Sequence, residues 1–286
     1  MGVLETIETQ FKVFVNSKVE YQPFKLFDYQ KRILNSYKTH RFNLVKKYRQ
    51  GGVSSITQGY LANKGSFNHP DKPETIVIIS TNLSQAQHQL KKIKEFLSSL
   101  PRETWGPDYY GSKENEEKSI FIGGKLSFEL PSGSKYLVAT NKDALRGFKP
   151  TCVLFDEAAF INKGNELYDV VITSLEVDGQ IIMVSTPNGA DNLFFRTYRD
   201  SLIKRNTFHI TDINWWEDTR FGKDITWYLF NSDDEVIDTL ENITEGQDEL
   251  FKLGYTPTNK WFEDMCRLLN YNERQIDQEI YAKFIF

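Results

Sequence analysis

Val153-Leu154-Phe155-Asp156-Glu157 is the stretch that most narrows what this chain can become. Its apolar run suits a strand buried on both faces of a sheet, and it ends in two adjacent carboxylates. Side chains alternate faces along a strand, so neighbouring acids at its end fall on the turn just beyond it. There one carboxylate can hold a metal ion while the other reaches a water molecule. Nucleoside triphosphate hydrolysis needs that division, because the metal neutralises phosphate charge while a separate base orients the nucleophile. Alone, the pattern is also that of an ordinary solvated strand end. Its meaning depends on a phosphate-binding loop elsewhere in the chain.

Such a loop lies upstream, in altered form. Phe42, Leu44 and Val45 make a short apolar strand, followed by Lys46-Lys47-Tyr48-Arg49-Gln50-Gly51-Gly52-Val53-Ser54-Ser55. Ile56, Gly59, Tyr60 and Leu61 then fall at helical spacing. Strand, glycine turn and a helix opening on hydroxyls is the context a P-loop requires. Backbone N–H groups there bind phosphate oxygens, and glycine lets the main chain approach. Ser54 stands where the Ser or Thr of G-x-x-x-x-G-K-[ST] ligates magnesium. Two positions depart from that pattern: Val53 takes the lysine position and Lys47 the first glycine. The phosphates still need a cation, and Lys46, Lys47 and Arg49 are the ones near enough in sequence.

Ile181-Ile182-Met183-Val184 is a further buried-strand run, ending in Ser185-Thr186-Pro187-Asn188-Gly189. Hydroxyls at the end of a central strand can sense a γ-phosphate, and Pro-Asn-Gly is a strong turn signal. Phosphate loop, Asp-Glu strand and Ser-Thr strand therefore occur in one order along the chain.

With these residues in view the chain resembles the ATPase region of the large terminase subunit, the DNA-packaging motor of tailed bacteriophages. Lys47 through Ser55 resembles that family's lysine-displaced loop, K-x-R-Q-x-G-x-[ST][ST]. Asp156-Glu157-Ala158-Ala159-Phe160 is similar to its Asp-Glu strand end, and Ser185 to Gly189 to its coupling motif. Gln30, in Phe27-Asp28-Tyr29-Gln30, resembles the glutamine that contacts adenine. Asp143-Ala144-Leu145-Arg146-Gly147 resembles the segment that lends an arginine to a neighbouring subunit. The likeness runs from about Phe24 to the C-terminus.

The resemblance implies an α/β P-loop NTPase fold of the RecA/ASCE-like kind, a mainly parallel sheet flanked by helices with a small lid or linker subdomain. It implies ATP and Mg2+ as cofactors. ATP would be held by Gln30, by Lys46 or Lys47, and by Arg49, Gln50, Gly51, Gly52, Val53, Ser54 and Ser55. Ser54 and Asp156 would hold magnesium, and Glu157 would polarise the attacking water. Arg49 would sense the γ-phosphate, Arg146 would act across a subunit interface, and Ser185 and Thr186 would couple hydrolysis to motion. The implied partners are double-stranded DNA, a homo-oligomeric ring, expected as a pentamer on the capsid portal, the portal protein and the small terminase subunit. The implied location is the host cytoplasm, docked on the procapsid.

Composition is compatible with this reading. A chain of 286 residues can bury a full α/β core and a smaller subdomain. Hydrophobic content of 40% and charged content of 26% are those of a soluble globular protein. Cys152 and Cys266 lack metal-ligand spacing, so a reducing compartment is expected. His40, His69, His88 and His209 form no cluster in sequence. No run reaches transmembrane length, and no membrane partner is expected. The net charge of −4 does not suit a tight DNA binder, whereas a translocating motor needs weak, repeatedly broken phosphate contacts. Lys91, Lys92 and Lys94 are the candidate contacts.

Thr75 to Thr81 reads as a buried strand leading into a helix with Leu83, Ala86, Leu90, Ile93, Leu97 and Leu100 on one face, a βαβ pattern. Phe121 to Phe128 reads as a hairpin, Lys135 to Ala139 as another strand, and Asp108 to Lys118 as a mobile surface loop. The segments expected are 1–23, packing with the lid; 24–210, the ATPase core; and 211–286, the lid. Within the last, Phe221 to Tyr255 has weak periodicity and reads as an insertion. Two helices follow, from Asn259 and after Asn272 as N-cap. Phe284-Ile285-Phe286 resembles a strand cut at its end. The nuclease domain with which terminases continue is expected to be absent from this chain. Two other readings remain open: a P-loop DNA helicase or translocase, and a nucleotide-binding assembly module that does not hydrolyse.

Overall fold

The apolar runs form neighbouring strands, and their alternation divides the interior in two. The computed structural model describes residues 3–15, 20–66, 72–100 and 122–285. An N-terminal helix α1 (Val3–Gln10) and a ribbon of β1 (Lys12–Val15) and β2 (Glu20–Pro23) precede α2 (Asp28–Thr39). The core then runs β3 (Phe42–Lys47), α3 (Val53–Ser66), β4 (Thr75–Ile79) and α4 (Leu83–Ser98). It continues through β5 (Ile122–Gly123), β6 (Ser127–Glu129), β7 (Lys135–Ala139) and β8 (Cys152–Asp156). The chain returns by α5 (Gly164–Ser174), β9 (Gln180–Ser185), α6 (Leu193–Leu202) and β10 (His209–Ile213).

These strands form one eight-stranded sheet in the order β10-β3-β9-β8-β4-β7-β6-β5. The strands from β10 to β7 are mutually parallel, and β6 and β5 close that edge antiparallel. Successive residues serve opposite faces. Ile76, Ile78, Leu154, Ile182 and Val184 pack under α2, α3 and α4. Val77, Ile79, Val153, Phe155, Ile181 and Met183 pack under α5 and α6. Covering both faces is what makes the strands read as unbroken apolar runs. The result is a mixed sheet flanked by helices, consistent with a P-loop NTPase-like fold. β9 lies between β3 and β8, so the loop strand and the Asp-Glu strand are not neighbours.

Beyond β10 lies the smaller subdomain. A three-stranded antiparallel sheet of β11 (Thr226–Phe230), β12 (Val236–Glu241) and β13 (Thr256–Thr258) carries α7 (Gln247–Lys252), α8 (Lys260–Leu268) and α9 (Glu273–Glu279). Fully buried Trp215 and Trp227 anchor it. Trp215 lies 5.2 Å from the Trp261 ring, and Trp216 lies 5.5 Å from Trp227. Asn259 and Asn272 cap α8 and α9 as expected, accepting from the N–H groups of Phe262 and Gln275.

Several expectations change. Phe221 to Tyr255 is not an irregular insertion: it forms the β11–β12 hairpin and α7, whose alternation is masked because β12 is almost wholly exposed. β10 runs past the expected boundary at 210 into Ile213. The N-terminal segment, expected on the lid, packs on the core: Phe11 contacts Phe96 of α4, and Ile7 lies against Gly59 of α3. His40 and His209, distant in sequence, stack with ring centroids 3.9 Å apart. The hairpin is β5–β6, while Phe121, the Asp108 to Lys118 loop and Phe286 lie outside the described residues.

Candidate active site

The carboxyl ends of β3, β9, β8 and β4 meet at one edge of the sheet, where ligands of open α/β sheets bind. Register brings Lys46 opposite Ser185, Val184 opposite Asp156, and Phe155 opposite Ile79. The three motifs, far apart in sequence, therefore converge. A cleft of about 530 Å³ opens there, lined by Lys47, Arg49, Thr81, Glu157, Thr186 and Glu279 among others. A larger cleft of about 1070 Å³ lies between α6, β10 and the lid, and contains Lys46 but neither Asp156 nor Glu157. Of the sequence motifs' acids, Glu157 lines the smaller one.

Strand alternation separates the two lysines. Lys47 turns into the motif cleft, where its Nζ lies 2.8 Å from Oε1 of Glu157, although the side chain is only 7% exposed. Lys46 turns the other way and donates to the Ala282 carbonyl at 3.2 Å, with Asp212 at 3.7 Å. Of the two candidates, Lys47 is the one at the cleft. Val53, in the usual lysine position, is buried in the apolar core. The loop between β3 and α3 turns on Gln50 (φ +68°) and Gly52 (φ +66°). A Cβ on Gly52 would lie 3.0 Å from the Gln30 amide nitrogen, and the positive φ is what favours glycine there. Ser54 and Ser55 begin α3, half-buried.

Asp156 ends β8, buried, and accepts from the Gln89 amide at 2.6 Å. Gln89 accepts in turn from Gln58 of α3. Burial, then the neighbouring Glu157 carboxylate, pushes Asp156 up to about 7, against the pull of Lys47, Gln89 and Ser80. Glu157 adopts the left-handed conformation at φ 52°, which swings its carboxylate off the strand towards Lys47. The Ser185 hydroxyl accepts from the Ala159 N–H at 3.1 Å and lies 3.5 Å from Oε2 of Glu157. Asn188 donates to the Ala159 carbonyl at 3.4 Å. The Ser185–Asn188 turn is thus stapled to the Asp-Glu turn. Thr186 is buried beside the cleft.

Arg49 reaches the end of α9: its guanidinium lies 3.6 Å from the Glu279 carboxylate, and its N–H donates to the Glu279 carbonyl at 2.8 Å. Gln30 is buried beneath the loop, with its amide nitrogen 3.5 Å from the Gly52 carbonyl. Arg146 follows a short turn anchored by buried Leu145. Its side chain is 78% exposed and held only loosely by Asp143 at 3.5 Å. It points to solvent, outside its own cleft. On α4, Lys92 pairs with Glu95, and Lys94 lies 4.8 Å from the Phe128 ring centroid, where burial lowers its pKa.

No group of three or more His, Cys, Asp or Glu among the described residues could hold a metal. The donors present nonetheless fit magnesium, which is bound by one or two carboxylates and completed by substrate phosphates and water. Asp156 is a buried acid with no guanidinium paired to it among the described residues, linked to α3 through Gln89 and Gln58.

Sequence reading missed Gln89, Glu279, Tyr29, Tyr48, Asp218 and Arg220. Tyr29 and Tyr48 lie inside quoted motifs, but nothing local marks a tyrosine as a partner for an acid 170 or more positions away.

A family model described as "Terminase large subunit, T4likevirus-type, N-terminal" matches residues 60–253. The chain belongs to that terminase family. Among solved structures, the large terminase ATPase domain of Thermus phage P74-26 is similar in fold, at 16% identity and a TM-score of 0.55. That match covers 92% of this chain and 95% of the other. The large terminase of another thermophilic bacteriophage is similar at 10% identity and a TM-score of 0.56, over 92% of this chain. This terminase chain spans 53% of that second protein. No curated protein sequence matches. No helix of the described residues is long and apolar enough to cross a membrane.

Proposed function

We propose that this terminase chain is an ATP-hydrolysing motor that drives double-stranded viral DNA into a procapsid. The observation that carries the reading is the approach of Lys47 to Glu157 beside buried Asp156, at the strand ends of a P-loop-like sheet. A pure nucleotide binder has no use for a carboxylate in that position.

Each residue then has a task. Backbone N–H groups of Gly51, Gly52 and Val53 and the start of α3 cradle the phosphates. Lys47 supplies the cation that Val53 lacks. Magnesium, held by Ser54 and Asp156, would neutralise phosphate charge when bound. Glu157 orients the attacking water and accepts its proton. Lys47 is paired with Glu157, so a phosphate that draws Lys47 away frees the base. Chemistry is thereby tied to occupancy.

Arg49 would exchange Glu279 for the γ-phosphate, and Gln30 would contact the base. Ser185 and Thr186 pass the state of Glu157 to the turn at Asn188. Arg146, pointing outward, completes a neighbour's site in a homo-oligomeric ring. The ring would work on the portal with the small terminase subunit, in the host cytoplasm at the procapsid.

Steady-state phosphate release by wild type and Glu157→Gln, with Mg2+ and DNA, tests this. Equal rates in the two proteins would sink the catalytic assignment.

A further inference from the structure

Asp218 belongs to none of these motifs, yet it is fully buried and heavily paired. Its carboxylate accepts from the Tyr48 hydroxyl at 2.6 Å and from Arg220 through Nε at 2.9 Å and Nη2 at 2.6 Å. The Arg220 backbone N–H adds a bond of 3.0 Å. Two neighbours of this carboxylate also touch the loop. Arg220 Nη2 donates to the Gln50 carbonyl at 3.1 Å. The Tyr29 hydroxyl lies 2.9 Å from Asp218 and 2.7 Å from the Gly51 carbonyl. The single Tyr29 proton is shared between that carboxylate and the Gly51 carbonyl, which ties the loop to Asp218.

Pinning those carbonyls has a geometric consequence. In a trans peptide the C=O and the following N–H point in opposite directions. Holding the carbonyls of Gln50 and Gly51 toward Arg220 and Tyr29 turns the N–H groups of Gly51 and Gly52 to the other side. Gln50 and Gly52 have positive φ and Gly51 does not, the alternation that makes successive N–H groups converge on an anion. Arg220 is fixed further by the rings of Phe27 and Phe221, at 5.0 Å and 4.7 Å.

We propose that Asp218 is a positioning residue for the phosphate loop. It holds Arg220 and Tyr29 so that they present the Gly51 and Gly52 N–H groups to polyphosphate. The inference rests on the nucleotide reading above and adds that the loop is shaped from the lid side.

The test is calorimetric titration of MgATP, inorganic tripolyphosphate and adenosine into wild type, Tyr29→Phe and Arg220→Lys. Tyr29→Phe keeps the ring and its stack on Phe27 at 5.6 Å, so the fold is preserved. Each variant should weaken MgATP and tripolyphosphate by the same factor, about tenfold for one lost hydrogen bond to the loop. In turnover assays the rise in KM should exceed any fall in kcat. A merely structural role would lower Tm without moving the tripolyphosphate affinity, and that result overturns the proposal. So does a loss confined to MgATP, which would move the effect to the base. If wild type binds neither MgATP nor tripolyphosphate, the nucleotide reading itself fails.

Discussion

The ammonium of Lys47 lies 2.8 Å from the Glu157 carboxylate, joining the lysine that ends β3 to the acid that follows β8. These residues are 110 positions apart and meet because β3 and β8 flank β9 with their carboxyl ends level. Glu157→Gln should reduce phosphate release by about 10²–10⁴, the usual worth of a positioned general base. It should also leave MgATP binding at least as tight, because Lys47 no longer has an ionised partner. Fluorescent-nucleotide titration beside a phosphate-release assay checks both halves.

The two lysines give a second test. Lys47→Ala should abolish measurable MgATP binding, whereas Lys46→Ala should change it less than about twofold, having removed only contacts to Ala282 and Asp212. A larger loss for Lys46→Ala than for Lys47→Ala would reverse the assignment.

Asp156 predicts how nucleotide-free stability depends on pH. Its folded pKa, about 7, is raised above the ordinary 3.8. Its contribution is therefore fully present below the unfolded value and is lost as pH rises through 7. Asp156→Asn should be more stable than wild type at pH 8, by an amount on the order of a few kcal/mol. The gap should close towards pH 4. Calorimetric scans at the two pH values measure it, and a variant less stable at pH 8 would show that the charged carboxylate is not penalised.

Arg146 is exposed, so Arg146→Ala should leave the stability of the isolated chain unchanged within about 0.5 kcal/mol. Activity of an assembled ring should fall by roughly a thousandfold or more. Specific activity of wild type should rise with protein concentration, and a flat dependence would remove the trans role.

Much of the architecture was legible in local pattern. The runs at Thr75, Val153 and Ile181 are strands because both their faces are covered, which leaves no polar alternation to hide them. Asn259 and Asn272 are caps because a side-chain oxygen at that position meets an N–H three residues on. The β11–β12 hairpin was not legible: Trp227 alone carries its buried face, while the exposed face of β12 leaves no alternation to read.

The sequence by itself determined that a glycine turn, an acidic strand end and a hydroxyl strand end occur in order, since each is written within a few residues. Only the tertiary structure decided which lysine serves the cleft, because adjacent strand residues face opposite ways and the packed sheet alone says which side is the cleft. It also decided that Val53 is core, that the Asp-Glu turn leans on Ser185, and that Asp218 and Arg220 grip the loop between β3 and α3. Those relations join residues that the chain separates widely, and they exist only where the packed core and lid bring side chains within hydrogen-bonding reach.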